Sequence, residues 1–127
     1  MILGALVALN KASPNSSYIT TAQAIADAAI SHLTDSNGIL HEPCEPNCGG
    51  DGSQFKGVFA RNLQILQQSH GKSSYAAFLK TNADAIWADN NQNGELSLVW
   101  SGPFVSPANA STQSSALDAI VGALATA

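Results

Sequence analysis

The sequence predicts an all-α chain of antiparallel helical hairpins. Three observations carry that expectation: an internal repeat with a period of 57 residues, apolar residues at helical spacing, and short connections alternating with long ones. The repeat is read from strings held in register. Ser16-Ser17-Tyr18 recurs as Ser73-Ser74-Tyr75, and nine residues beyond each tyrosine an aspartate stands between alanines, Asp27 and Asp84. Both landmarks are displaced by 57, and the same offset pairs Leu6 with Leu63 and Leu9 with Leu66.

The elements follow in order. Residues 2–12 form a first helix, apolar on nearly every side as an enclosed helix should be. In the second, Tyr18, Ile19, Ala22, Ile25, Ala26, Ala29, Ile30 and Leu33 share one helical face. A third is expected at 55–70. A fourth buries Tyr75, Phe78, Leu79, Ala83, Ile86 and Trp87, and a fifth, again apolar all round, runs over 112–127. Ser16, Ser17, Ser73 and Ser74 are the N-cap candidates for the second and fourth helices. His32 and His70 close helices at the end where a cation suits the dipole. Strand alternation is confined to the weak 96-LSLVW-100.

The connections after residues 12 and 70 are short, as antiparallel neighbours require. The segments at 34–54 and 91–111 are far longer than a hairpin needs. Each enters the N-terminus of an enclosed helix, so both lie at one end of the stack. Long loops gathered there, beside the positive ends of helix dipoles, suit anions or hydroxyl-rich ligands.

Composition narrows the function. Charged residues make up 11% of the chain, well under the usual ~25%. The net charge is -4, and Lys11, Lys56, Arg61, Lys72 and Lys80 form no basic stripe, so no nucleic-acid partner is expected. The opening MILGALVAL lacks a cationic leader and is far short of the ~20 residues of a membrane span, so neither a targeting segment nor a span is expected. No Ser-His-Asp arrangement, phosphate loop or dinucleotide glycine pattern is visible. The 127 residues read as one partial domain of about two and a half hairpins. Its end helices lack polar outer faces, so the chain is expected to belong to a larger helical array or to pair with another chain, including a copy of itself.

The first long loop holds 42-EPCEPNCGGDGSQFKG-57 and both cysteines of the chain. Cys44 and Cys48 are read first as a disulfide closing a small ring, worth about 2 kcal/mol and stiffening one loop. Free thiols remain an alternative, as does zinc recruiting His41 and Asp51, although no second ligand pair occurs elsewhere. Gly49, Gly50 and Gly52 allow close backbone approach by a ligand. Asp51 is either a hydroxyl-binding carboxylate or a helix cap. Gln54 and Lys56 either point into a cavity or form a solvated helix start. Arg61, on a helix expected to be covered, needs an anionic partner. Trp100 and Phe104 flank a Gly-Pro turn, where they either stack on a sugar ring or plug the loop onto the core. The sequons at Asn15 and Asn109 are no more than chance supplies.

The runs 35-DSNGILHEPCEPNCGGDGSQFKGVFAR-61, 25-IADAAISHLT-34, 95-ELSLVWSGPF-104 and 113-QSSALDAIVGAL-124 resemble glycoside hydrolase family 76, the α-1,6-mannanases and their fungal cell-wall relatives. The resemblance covers essentially the whole chain. It implies an (α/α)6 toroid, of which this chain matches the C-terminal two-fifths. It further implies a secreted or cell-wall protein acting without a cofactor on α-1,6-mannan or mannoprotein glycans. Family members cleave with retention through two adjacent aspartates, one protonated and one ionised. This sequence holds no Asp-Asp pair. The catalytic residues are therefore expected upstream of Met1, with no hydrolysis by the isolated chain. Asp51, Gln54, Lys56 and Arg61 match the cleft-lining segment and take a substrate-side or site-shaping role, with Trp100 and Phe104 as stacking candidates.

Overall fold

The computed structural model describes residues 1–127. Helices α1 (Ile2–Ala12), α2 (Ser16–Leu33), the short α3 (Gly49–Gly52), α4 (Phe55–His70), α5 (Ser73–Asp89) and α6 (Ala110–Ala125) account for most of the chain. Between α5 and α6 lies a minimal antiparallel ladder of β1 (Asn91–Gln92) and β2 (Glu95–Leu96), pairing Asn91 with Leu96 and Gln92 with Glu95. Only Leu96 of the LSLVW run joins that ladder; the run is fixed instead by buried side chains.

The 57-residue period survives in the structure, with α5 beginning 57 residues after α2. Three successive repeats place α1, α4 and α6 side by side. The outer helices α2 and α5 pack behind α1 and α6 respectively. This is part of an (α/α)6 toroid, built of antiparallel hairpins. A shared core of Leu3, Ala22, Ala26, Leu63, Leu66, Tyr75, Phe78, Leu79, Ile86, Ala116 and Ala119 runs through them. Ala22, Ala26, Ala116 and Ala119 are fully buried, because small side chains let adjacent helix backbones approach.

Close approaches also occur at both crossings of the inner helices, 53 residues apart and so one helical turn out of the 57-residue register. The Gly4 N–H donates to Asn62 Oδ1 at 3.3 Å between α1 and α4, and the Gly57 N–H donates to Ser115 Oγ at 2.9 Å between α4 and α6. A Cβ on Gly57 would lie 2.5 Å from Ser115 Cα and 2.7 Å from its carbonyl oxygen. Glycine is thus what admits α6 at this crossing.

Several local expectations are corrected. The N-cap of α2 is Asn15, whose side chain accepts the Ser17 N–H at 3.0 Å, and α5 starts after Lys72 with no side-chain cap; the serines lie one step inside. Asn109 caps α6 in a reciprocal box with Thr112. Both sequon asparagines are therefore helix caps. Trp87 is 64% exposed rather than packed. The apolar end helices are covered on one side only, leaving Ile2 and Leu9 of α1 and Leu117, Val121 and Leu124 of α6 exposed. No helix is long and apolar enough to cross a membrane.

Candidate functional site

The two long loops meet over the N-terminal ends of α4 and α6, as the hairpin order requires. Cys44 and Cys48 are joined by a disulfide with Cα atoms 4.8 Å apart, within the ordinary span. With both sulfurs in that bond, the zinc reading loses its thiolate ligands.

Beneath the loops, Lys56 is almost wholly buried, at 1% exposure. Its ammonium pairs with Glu45 of the cysteine loop, donates to the Leu98 carbonyl at 2.8 Å, and sits 4.6 Å from the centroid of the buried Trp100 ring. One cation from the first turn of α4 thereby fastens both loops. Burial lowers the Lys56 pKa, while the Glu45 and Glu42 carboxylates oppose that shift. Glu42 is itself pushed up, chiefly by burial. Glu45 also accepts from the Glu42 N–H at 3.1 Å and pairs with His41 Nδ1 at 2.6 Å. His41 Nε2 faces Asp35 at 3.2 Å. Burial opposes ionisation of Asp35, but hydrogen bonds from the Ile39 N–H, His41 and the Asn37 N–H outweigh it and hold its carboxyl below the ordinary value.

Two buried asparagines complete the frame. Asn82 of α5 accepts the Leu40 N–H at 2.8 Å and donates to the Gly38 carbonyl at 3.1 Å, tying the first loop to the outer helix. Asn90 donates to the Ser97 carbonyl at 2.8 Å, and Thr112 Oγ1 donates to the Leu96 carbonyl at 3.0 Å, fixing the second loop. Loop backbone that would otherwise be buried without partners is satisfied by these side chains. Sequence reasoning passed over them; the available signal was an amide at position 82, inside the apolar face of a helix.

Between the fastened loops opens a cleft of about 330 Å³. One wall is Pro46, Asn47, Cys48, Gly49, Gly50 and Ser53; the other is Leu98, Val105, Ser106, Pro107, Asn109 and Thr112. Three peptide bonds in these loops, Glu45-Pro46, Gly102-Pro103 and Ser106-Pro107, are cis. The lining mixes glycine backbone, Asn47 and Ser106 with the apolar surfaces of Leu98, Val105 and the prolines, an arrangement suited to a neutral ligand with both hydroxyls and apolar faces.

The six residues singled out from the sequence separate in space. Lys56 and Trp100 are enclosed and spend their contacts on each other and on the loops, so they shape the cleft from below instead of facing it. Asp51 lies in α3 and Gln54 precedes α4; both are exposed and adjoin the lining residues Gly50 and Ser53 in sequence without lining the cleft themselves, and neither makes a side-chain cap. Phe104 is half-buried in the second loop. Arg61 is not covered: its side chain is 56% exposed and grips Asp118 through Nε at 3.1 Å and a terminal nitrogen at 2.6 Å. That hydrogen-bonded pair raises the Arg61 pKa further. The expected anionic partner exists, but on a solvated face two turns from the cleft.

Against this geometry stand the comparisons with known proteins. The model of glycosyl hydrolase family 76 matches residues 1–127. The Lin0763 protein of Listeria innocua superimposes with a TM-score of 0.85 at 22% identity, covering 97% of this chain and 35% of its own. The α-1,6-mannanase GH76A of Salegentibacter sp. HEL1_6 gives 0.84 at 20% identity, covering 96% of this chain and 37% of that one. An inactive variant of the same mannanase, with two consecutive aspartates replaced by asparagine and α-1,6-mannotriose bound, gives 0.83 at 21% identity, with coverage of 95% and 37%. The chain thus spans little more than a third of these structures. No protein with a curated function matches it in sequence.

Proposed function

Because this chain belongs to glycosyl hydrolase family 76, we propose that it supplies part of the glycan cleft of a retaining endo-α-1,6-mannosidase acting on α-1,6-linked mannan. The observation that carries the proposal is the cleft between the cysteine loop and the 97–109 loop, which Lys56 fastens to each other, with a lining that mixes glycine backbone, Asn47 and Ser106 with apolar surface. Asp51 and Gln54, exposed beside the lining residues Gly50 and Ser53, are the side chains offered to sugar hydroxyls, and Phe104 is the stacking candidate. Lys56 and Trp100 are positioning residues. The bond joining Cys44 and Cys48 suits a protein working in an oxidising, extracellular or cell-wall setting.

Glycosidic cleavage with retention needs two carboxyl groups about 5 Å apart, one protonated and one ionised. The sequence contains no adjacent aspartate pair, and Asp118 is committed to Arg61. The chain by itself is therefore proposed to bind mannan without cleaving it, and the reaction to require carboxylates from outside these 127 residues. The test is incubation with linear α-1,6-mannan, following reducing sugar and retention of the protein by the polymer. Retention without sugar release is expected. Sugar release abolished by Asp51→Asn would place the chemistry within this chain, and failure to be retained would remove the glycan reading.

A further inference from the structure

One side chain of the cysteine loop has a carboxylate on each of its ring nitrogens. His41 Nδ1 lies 2.6 Å from Glu45 Oε2, and His41 Nε2 lies 3.2 Å from Asp35 Oδ2. A neutral imidazole has one N–H and one lone pair, so it would turn the lone pair toward one of these carboxylates. Only the imidazolium donates from both nitrogens, and this geometry selects it. The ring is 32% exposed, so protons from solvent reach it, whereas the Glu45 side chain is 9% exposed.

The two carboxylates belong to different parts of the loop. Asp35 stands at its base, just past the end of α2, where Oδ1 accepts the Asn37 and Ile39 N–H groups at 2.8 and 3.0 Å and leaves Oδ2 for His41. Glu45 lies inside the ring closed by Cys44 and Cys48, next to the wall residues Pro46 and Asn47, and its other oxygen takes the Lys56 ammonium. Asp35, His41, Glu45 and Lys56 therefore alternate in charge from the loop base, through the cleft wall, to the first turn of α4. Three further groups stand around the His41 ring. Glu42 and His32 of α2 share a pocket of about 240 Å³ with it, and the Ser101 hydroxyl of the second loop lies 3.5 Å from Nε2.

We propose that His41 is a positioning residue for the cleft wall, and that the proton on its Nε2 sets which loop it holds. With that proton, His41 clasps Glu45 to Asp35 and fixes the wall to its own loop base. Without it, the Nδ1–H stays on Glu45, the Asp35 contact is lost, and Nε2 becomes an acceptor for the Ser101 hydroxyl of the opposite loop. The cleft as fastened in this structure is the protonated form. Its ordering is therefore present at low pH and is lost as pH rises through the His41 titration. The effect on glycan affinity rests on the mannan reading; the effect on the wall does not.

The experiment is a titration of the isotopically labelled chain from about pH 5 to 8, following the ring nitrogens of its three histidines and the backbone amides, alone and with α-1,6-mannotetraose. At the acidic end both His41 ring nitrogens are expected to carry protons. On raising the pH, Nε2 should lose its proton, and the amides of Asn47, Gly49 and Ser101 should shift with the His41 midpoint. Mannotetraose should bind about fivefold more weakly above that step, the low end of coupling between sites, because His41 reaches the wall through Glu45. Asp35→Asn keeps the oxygen that accepts the two N–H groups and should carry the step to lower pH. His41→Gln should remove the step from the amides and from the affinity, with helicity unchanged. A ring singly protonated over the whole range, wall amides that ignore its titration, or a step that persists in His41→Gln would overturn the proposal. So would an affinity independent of pH while the ring titrates. Absence of mannotetraose binding at every pH would count against the mannan reading alone, and the ring and amide titrations would still decide the clasp.

Discussion

Replacing Lys56 by methionine keeps the apolar stem and removes the one cation that fastens both loops. Breaking a buried ion pair from one side costs about 3–5 kcal/mol, because the remaining charge stays in low dielectric. Here Glu45 keeps His41 Nδ1 at 2.6 Å and the Glu42 N–H at 3.1 Å, which places the loss near the lower end, about 3 kcal/mol. The Leu98 carbonyl also loses its 2.8 Å donor. For a chain of this size a loss of 1 kcal/mol lowers Tm by roughly 3–5 °C, so a fall of about 10 °C is expected by circular dichroism. Trp100 emission should change as its cation leaves and the loops loosen. Glu45→Gln combined with Lys56→Met removes the orphaned carboxylate and should recover part of the loss. A drop below about 3 °C, or a double variant that loses the sum of the two singles, would refute the claim that this pair is a buried, coupled fastening.

Other outcomes follow from the same contacts. Gly57→Ala should destabilise by about 1–3 kcal/mol or more in urea titration, since the added methyl meets Ser115 backbone that cannot swing away. Arg61→Ala should cost at most about 1 kcal/mol in the same titration, because the pair with Asp118 is largely solvated. Reducing the disulfide should cost no more than about 2 kcal/mol and leave helicity intact, since the ring it closes is small. Asp27 is held below its ordinary pKa, first by its hydrogen bond from Lys72 and also by that from Tyr75, with burial opposing. Its contribution is therefore present above the unfolded carboxylate value and is lost as pH falls through the lowered folded value. A modest decline in stability below about pH 4 is expected, flattened by Asp27→Asn, as a thermal scan against pH would read.

Helices and their order were legible because each outer helix carries its period in side chains that face one core: Tyr75, Phe78, Leu79 and Ile86 are all buried. The repeat was legible because packing requirements recur with it, as at Ala22 and Leu79, 57 residues apart and both fully buried. Exposure was the weaker inference. Trp87, Leu117 and Leu124 share the apolar pattern of the core yet lie bare, because a hydrophobic face states that it should be covered and says nothing of whether its cover is within the chain. Capping was misplaced by one residue since Asn15 and Ser16 are both good caps and backbone geometry decides between them. The site was legible as two loops and illegible as contacts. Lys56 reads equally as a cavity-facing residue or a solvated helix start until Glu45, 11 residues earlier, and Leu98, 42 residues later, are seen to close over it.

The central claim is that the cleft between these loops is the glycan-binding part of the chain. Its most direct test is a titration of the isotopically labelled protein with α-1,6-mannotetraose, followed by amide chemical shifts. Saturable shifts are expected, concentrated at Gly49, Gly50, Asp51, Ser106 and Asn109 and absent with an oligosaccharide of different linkage. Shifts confined to residues outside both loops, or none at ligand concentrations up to solubility, would contradict it.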